Sequence, residues 1–438
     1  MTNCTAKVFE FPACKRRKVE AQFSGGDITS DGGVLLLGQI DQRLGLTEAM
    51  AEIIPDPRDP ARCQHRGVDL IRQRVYAIAL GYEDLNDHQS LRQDVALQTV
   101  LGREEALASP STLCRFEQQA NRQVAWELNR LWVDQFITSF DKPPEEVILD
   151  FDATDDPVHG RQEGRFFHGY YDQYCFLPLY VFCGDQLLVS YLRPSNIDSA
   201  KHAWAILALL VKRFRAVWPG VRIIFRGDSG FCRPGMLSWC ERQGVEYLVG
   251  IAKNARLNRL GAPWIEQAQR AYEHSGEKQR LFGEFRYAAD TWKERQRRVI
   301  VKAEHTEKGS NPRYLVTTLK GAAQTLYENL YCTRGEMENR IKEQQLDLFA
   351  DRTSCTAWWP NQLRLLLSSA AYCLVEALRR LALHGTELAQ ATCGTIRLKL
   401  FKIGAVILRN TRRIRFLLAS SYPYPALFFK VAARLRPG

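Results

Sequence analysis

The sequence of 438 residues predicts an α/β protein whose mixed β-sheet is flanked by helices, with helical regions at both ends. Three observations predict this class. The hydrophobic period changes from helical to strand-like near residue 144. Two apolar runs that follow this change each end in an aspartate, Asp152 and Asp228. A stripe at helical spacing then carries Glu338. The length suits about two or three domains.

The first region, residues 1–140, is predicted to be mainly helical. Residues 68–80 have helical periodicity, and Gly81 ends the segment. Ser109-Pro110 is typical of a helix start, because a capping side chain precedes proline at the first helical position. We expect this region to bind DNA, with Arg115 on its exposed face. The alternative is an ordinary helical packing domain.

The second region is predicted to contain the sheet. Gly184-Asp185 separates two strands by the two-residue loop of a tight hairpin. The predicted order is three strands, a helix, a strand, a helix and a strand, which is the order of a ribonuclease-H-like core. The elements are strands at 146–152, 176–183 and 186–192, a helix at 198–218, a strand at 221–228, a helix at 234–242 and a strand at 245–251.

The remaining chain is predicted to interrupt and then complete that core. Residues 253–324 carry three strand-like stretches and are predicted to be a β-rich insertion. A helix from about 325 to 348 resumes the core, which therefore comprises 144–252 and 325–359. Residues 360–438 are predicted to form a basic, helical C-terminal region.

The charge of the chain indicates a polyanionic partner. The formal net charge is +11, and no Asp or Glu follows Glu387. Ten basic residues lie in that tail, among them Arg412 and Arg413, which are candidates for DNA contacts. The alternative is a solvated charged face. The 12 cysteines include no CxxC pair, which favours a reduced, intracellular protein. No apolar window is long enough for a membrane span.

Acidic residues at strand ends predict a metal site. Asp152 and Asp228 end apolar runs, where a desolvated carboxylate needs a compensating charge. Asp150 shares a strand face with Asp152 and is the rival for the first position. In a ribonuclease-H-like sheet the strands of Asp152 and Asp228 are neighbours, so a helix across their ends brings in Glu338. Two divalent metals held by such acids act on phosphodiesters.

Five polar residues at spacings of 3, 4, 4 and 3 form one helical stripe: Tyr331, Arg334, Glu338, Lys342 and Gln345. An acid flanked by donors can bind a metal and grip phosphate oxygens, and an arginine can do so with two hydrogen bonds. The alternative is a surface helix with ion pairs at i,i+4.

These residues carry a family resemblance. Asp152-Ala153-Thr154, Asp228-Ser229 and Tyr331-x2-Arg334-x3-Glu338 resemble the three catalytic blocks of the DDE transposases of bacterial insertion sequences. The most similar subgroup has a Tyr-x2-Arg-x3-Glu-x6-Lys helix and a β-rich insertion before the glutamate. This chain has Gln345 where that pattern expects lysine. We hypothesise that Lys342 supplies the missing charge.

The resemblance implies a function. Asp152, Asp228 and Glu338 are then the catalytic residues and hold two Mg²⁺ or Mn²⁺ ions, which promote nicking at the element ends. The freed 3′-OH attacks target DNA. The implied partners are double-stranded DNA, as terminal inverted repeats and as target, and a second copy in a paired-end complex. The implied location is the bacterial cytoplasm at the nucleoid, without a membrane.

Two further functions stay open from the sequence. One is a nuclease of the same fold that cleaves without strand transfer, and the other is a DNA-binding protein with an inactive site. Lys253 follows a predicted strand end and is a further candidate for a phosphate contact. Trp292 could stack on an unpaired base, although packing between strands is the commoner role of such a residue.

Overall fold

The structure is a computed structural model that describes residues 8–292 and 295–436. The helices are α1 Val34–Leu44, α2 Leu46–Ile53, α3 Gly67–Leu80, α4 His88–Leu91, α5 Val95–Val100, α6 Pro110–Glu117, α7 Arg122–Thr138, α8 Ala203–Val217, α9 Pro234–Gln243, α10 Ala255–Ser275, α11 Ala323–Thr325, α12 Gly335–Lys342, α13 Trp358–Ala382, α14 Cys393–Ile396 and α15 Pro425–Leu435. The strands are β1 Phe9–Cys14, β2 Arg17–Ala21, β3 Ile28–Thr29, β4 Glu146–Ala153, β5 Asp156–Pro157, β6 Phe166–His168, β7 Gln173–Phe176, β8 Leu179–Cys183, β9 Gln186–Tyr191, β10 Arg222–Gly227, β11 Glu246–Ile251, β12 Gln279–Tyr287, β13 Arg297–Thr306, β14 Gly309–Ser310, β15 Arg313–Thr317, β16 Ala405–Asn410 and β17 Arg413–Leu418.

The chain forms two compact units. The first comprises residues 1–119, 347–349 and 370–438, and the second comprises 120–346 and 350–369. The helix α7 was expected within the N-terminal region, but it belongs to the second unit. The reason is its apolar stripe, since Val133 and Phe136 pack into the core beneath the large sheet.

The second unit is built on a mixed sheet of strand order β12-β13-β15-β11-β10-β4-β8-β9, with β14 paired to β13. The strands β4, β10 and β11 run parallel, β8 is the antiparallel neighbour of β4, and β9 pairs antiparallel with β8 at the edge of the sheet. All seven predicted core elements lie where the sequence places them, within a few residues at their ends. The fold class is therefore mixed α/β, as predicted.

The sheet is buried on both faces, which explains why its central strands are almost continuously apolar. On one face Phe151 and Phe225 pack with side chains of α8 and α9. On the other face Ile224 and Leu248 pack with Leu326, which lies in the helical segment before α12. Alternation along each strand therefore sends every second residue toward that helical segment.

The predicted β-rich insertion differs from expectation in two ways. It begins with a 21-residue helix, α10, which the sequence analysis did not predict. Its strands also extend the large sheet, because β15 pairs with β11 and β13 pairs with β15. The three predicted stretches correspond to β12, β13 and β15. Apolar residues of these strands, such as Val301 and Val316, join the common core.

The helix predicted from 325 to 348 is present but irregular. It begins with α11, continues through a π-helical turn at Leu326–Tyr331 and a 3-10 turn at Cys332–Arg334, and then forms α12. A second π-helical turn spans Glu343–Asp347. Such turns change the number of residues per turn, so the direction of the side chains departs from an ideal stripe.

The first unit contains helices and two small sheets. The strands β1 and β2 form a hairpin, and β16 pairs with β17 and with β3. The expectation that residues 360–438 are helical is wrong for β16 and β17. Burial along β16 alternates at the strand period, because Ala405 and Ile407 are buried while Val406 and Leu408 are exposed.

Candidate active site

Two aspartates lie side by side at the carboxyl ends of the central strands. The parallel register of β4 and β10 pairs Asp150 with Arg226 and Phe151 with Gly227. The next step along both strands reaches Asp152 and Asp228, which are therefore cross-strand neighbours on the same face. Asp228 also caps the short turn that follows β10, where its Oδ1 accepts a hydrogen bond of 2.8 Å from the backbone N–H of Gly230.

The rival acid, Asp150, is paired with an arginine. Both partners are buried, and Arg226 Nη2 donates to Asp150 Oδ2 at 2.6 Å while Arg226 Nε donates to the other oxygen. Arg226 also donates to Thr333 Oγ1 at 2.6 Å and to the carbonyl of Leu330. This network ties β4 and β10 to the helical segment above them, which is a structural role.

The helical segment carries a glutamate and an arginine to the strand ends. Arg334 Nη1 lies 3.4 Å from Asp152 Oδ2, and Arg334 Nη2 donates to Glu338 Oε1. One guanidinium group therefore bridges an acid of the sheet and an acid of the helix. The sequence analysis expected both acids at one place, and the structure places them around a shared cation.

The hydroxyl of Tyr331 lies against the neighbouring strand β11 at Gly250. A Cβ atom at Gly250 would lie 2.8 Å from Tyr331 Oη and 2.8 Å from the backbone nitrogen of Ser229. Because real Cβ atoms do not approach other atoms this closely, only glycine allows this arrangement. Gly250 thus makes room for Tyr331 beside the backbone that follows Asp228.

The surroundings of Asp152, Tyr331 and Arg334 raise the pKa of each of these groups. Burial raises the pKa of Asp152 to about 7; Arg334 opposes this shift, and the negative charges of Asp228 and Glu338 add to it. Burial also raises the pKa of the Tyr331 hydroxyl. Burial disfavours the charged form of Arg334, but its pKa is raised because nearby carboxylates, Asp152 and Glu338 foremost, outweigh that effect.

This donor set fits a hard divalent cation in its chemistry, since it consists of carboxylate oxygens. Burial, the main cause of the raised pKa of Asp152, makes a compensating cation favourable at this carboxyl group. Within residues 8–292 and 295–436 no three Asp, Glu, His or Cys side chains converge closely enough to enclose a metal ion. The guanidinium of Arg334 is the cation that bridges Asp152 and Glu338 in this arrangement.

The end of the polar stripe has a different role from the one expected. Gln345 Nε2 donates a hydrogen bond of 2.8 Å to the backbone carbonyl of Asp155, in the loop after β4. The side chain of Asp155 accepts a hydrogen bond of 2.6 Å from Gln173 Nε2. Gln345 therefore anchors the loop that follows Asp152. Lys342 is exposed.

The other predicted DNA contacts lie apart from this cluster in the chain. Lys253 is exposed just after β11, and Arg115 is exposed on α6. Arg412 and Arg413 lie at the turn between β16 and β17, where Asn410 Oδ1 accepts hydrogen bonds of 3.0 Å from both backbone nitrogens. These two arginines were expected on a helix, but they lie on a β-hairpin.

Trp292 does not offer a stacking surface. It is 6% exposed, packs against the ring of Tyr287, and lies under the guanidinium of Arg297 at 4.7 Å from the ring centroid. The more common role, packing within the sheet layer, is therefore the one observed.

Sequence reasoning missed two residues that shape the site. Arg226 lies two residues before Asp228 on a predicted buried strand. Because a buried charge is costly unless it is paired, this position predicts an acidic partner on the same face. Gly250 lies inside a predicted strand, a position that often marks the close approach of another group.

Comparison with known proteins gives one family. No curated protein matches the chain. A cryo-EM structure of a piggyBac transposase synaptic complex with hairpin DNA is similar to 85% of this chain and 79% of that chain, with 12% sequence identity and a TM-score of 0.42. None of the helices within residues 8–292 and 295–436 has the length and apolar character of a membrane span. The family described as Transposase DDE domain group 1 matches residues 11–438, nearly the whole chain, and the protein therefore belongs to this family of DNA transposases.

Proposed function

We propose that Asp152, Asp228 and Glu338 are the catalytic carboxylates of this transposase. One observation carries the proposal: Arg334 bridges Asp152 and Glu338, and the charge of Asp228 acts on the same carboxyl group. This contact and this charge effect support the proposal that acids from distant parts of the chain act at one site. Asp150 is set aside because Arg226 neutralises it with two hydrogen bonds.

The proposed fold of the catalytic core is ribonuclease-H-like. In chain order, the strands β4, β8, β9, β10 and β11 are arranged 3-2-1-4-5 across the sheet. The second strand, β8, pairs with the first strand, β4, and is antiparallel to it. The fourth and fifth strands, β10 and β11, run parallel to β4. This arrangement places the first and fourth strands together in the middle, where Asp152 and Asp228 lie. The strands β12, β13 and β15 then extend the sheet beyond the fifth strand.

We propose that the site holds two divalent cations, Mg²⁺ or Mn²⁺, through these three acids. When bound, such ions supply an activated oxygen nucleophile and stabilise the leaving oxygen of the phosphodiester. The protein contributes the rest. Asp152 would bind a cation as the carboxylate, and Arg334 would then exchange carboxylate oxygens for other acceptors.

Arg334 and Tyr331 are proposed to position the scissile phosphate. A guanidinium released from Asp152 and Glu338 can donate two parallel hydrogen bonds to phosphate oxygens. The Tyr331 hydroxyl lies beside the backbone after Asp228, within reach of a group placed at the strand ends. Lys342, Lys253, Arg115, Arg412 and Arg413 are proposed as further DNA contacts, because all are exposed cations.

The reaction proposed is nicking at element ends, followed by attack of the freed 3′-OH on target DNA. The helix motif Tyr331-x2-Arg334-x3-Glu338 supports assignment to the bacterial insertion-sequence subgroup. Gln345 departs from the subgroup pattern, which expects lysine at this position. We further propose a homodimer on paired inverted repeats, acting on chromosomal DNA in the cytoplasm. The reason is chemical, since two ends must be joined in one event.

The test uses a plasmid that carries the gene with its native flanking DNA. Purified protein with Mg²⁺ should nick the element ends, and pre-nicked ends should be transferred into a second plasmid. Nicking without transfer would favour the nuclease alternative. DNA binding without nicking in Mg²⁺ or Mn²⁺ would favour the inactive DNA-binding protein and would contradict the proposal.

A further inference from the structure

A cavity of about 480 Å³ lies within the first unit, on the surface formed by α6 and the loops before α3 and after α4. Its lining is strongly basic, with four arginines and one carboxylate. Hydroxyl groups at the start of α6 complete it. The residues that matter here are Asp56, Arg58, Arg62, Arg92, Thr112 and Arg115.

Only part of this positive charge is neutralised. Arg58 Nη2 donates to Asp56 Oδ2 at 2.6 Å, and Arg58 Nε donates to Asp56 Oδ1 at 2.7 Å. The charge of Arg58 is therefore compensated by Asp56. Arg62 lies 3.5 Å from Asp59 in an exposed ion pair, which contributes little. Arg115 is exposed, and Thr112 Oγ1 at 3.4 Å is a weak partner.

Arg92 points most clearly to a ligand. Its Nε is buried and has no hydrogen-bond partner among the described residues. A buried donor of a charged group is costly when it stays unpaired, so an acceptor is expected from outside the protein. Burial and the nearby Arg103 lower the pKa of His65, so at neutral pH the cavity charge comes from the arginines.

We propose that this cavity binds one backbone phosphate of double-stranded DNA, through Arg92 and Arg115. Guanidinium groups match phosphate oxygens with paired hydrogen bonds, and hydroxyls such as Thr112 are common additional donors to the backbone. Such a contact is independent of base sequence and sets the position of the DNA on the first unit. The inference relies on the proposed function only in taking DNA as the polyanion.

The test measures binding of a nonspecific DNA duplex of about 30 base pairs to full-length protein in EDTA, so that catalysis plays no part. Arg115→Ala and Arg92→Gln should each weaken binding about tenfold, as expected for a charged hydrogen bond. The slope of log K against log salt should fall by about 0.9 for one lost phosphate contact. Arg66→Ala, an exposed arginine of the same unit that does not line the cavity, should bind like the wild type.

Unchanged affinity and salt slope in both cavity variants would overturn the proposal while leaving the catalytic assignment intact. Failure of the wild type to bind any duplex would instead contradict the proposed function. Titration with inorganic phosphate separates the two sources of this anion. Micromolar phosphate binding that Arg115→Ala abolishes, without a change in DNA affinity, would identify a free-anion site and overturn the DNA assignment.

Cys63 lines the same cavity, and the rate of its alkylation in the wild type gives a second measurement that needs no variant. Duplex DNA should slow alkylation of Cys63 several-fold in the wild type, read by peptide mass spectrometry. In Arg115→Ala this protection should be lost at the same DNA concentration. Equal alkylation of wild-type Cys63 with and without saturating DNA would overturn the proposal.

Discussion

Arg334 lies 3.4 Å from Asp152 and donates to Glu338, so a single guanidinium joins the sheet and the helix of the proposed active site. Asp152 and Glu338 are two of the three groups proposed to bind metal. The proposed role of Arg334 is therefore to compensate the acids when the cation is absent and to donate to the DNA when the cation is bound.

Substitution of Arg334 tests this dual role. Arg334→Ala should reduce nicking about 10²–10³-fold, the loss typical of a donor that stabilises charge in the transition state. Arg334→Lys should recover little of it, because an ammonium group lacks the planar pair of donors. Rates on pre-bound DNA, with binding measured separately, check the prediction. Full activity of Arg334→Lys would show that charge alone is sufficient.

Asp150 and Asp152 should differ in what their loss affects. Asp152→Asn should abolish nicking and spare stability and DNA binding. Asp150→Asn should destabilise the second unit by about 3–5 kcal/mol, since it leaves the buried Arg226 uncompensated. Thermal unfolding and nicking assays on both proteins separate the roles. A stable but inactive Asp150→Asn protein would reverse the assignment.

Gly250 should be required for the position of Tyr331. Gly250→Ala introduces a Cβ that would lie 2.8 Å from the Tyr331 hydroxyl, so we expect a lower melting temperature and slower nicking. Adding Tyr331→Phe should restore part of the melting temperature by removing the hydroxyl. The second close contact, with the backbone of Ser229, should keep the recovery incomplete. Wild-type behaviour of Gly250→Ala would contradict this account.

Lys342 and Gln345 are predicted to act by different means. Lys342→Ala should weaken DNA binding and lower the salt slope by about 0.9, as for one phosphate contact. Gln345→Ala removes the hydrogen bond to the carbonyl of Asp155 and should slow nicking without changing the salt slope. Binding isotherms at several salt concentrations check both. The hypothesis for Lys342 is wrong if only Gln345→Ala weakens DNA binding.

His88 should make the first unit sensitive to acid. Burial, with the nearby Arg74, lowers the pKa of His88 from 6.5 to about 3. The unfolded chain therefore binds a proton first, and stability should fall as pH decreases below about 6.5 and continue to fall toward about 3. Melting temperatures between pH 7.5 and 5.5 measure this loss. His88→Gln should show a smaller loss over the same range, and an equal loss would exclude His88 as its source.

Local patterns in the sequence predicted most elements of the large sheet and the elements on which the three candidate acids lie. The strands around Asp152 and Asp228 and the helical stripe with Glu338 follow from periodicity, which depends on neighbours a few residues away. The same local reasoning predicted the hairpin at Gly184. Local reasoning failed at β16 and β17, because the mixture of basic and apolar residues there is compatible with both the helical and the strand period.

Only the tertiary structure decided which charges meet. The sequence favoured Asp152 and left Asp150, on the same strand face, as its rival, and the register of β4 against β10 pairs Asp150 with Arg226. Likewise, Gln345 contacts the loop at Asp155 because the helix crosses the strand ends there. Such pairings join residues that are far apart in the chain, and no local periodicity specifies them.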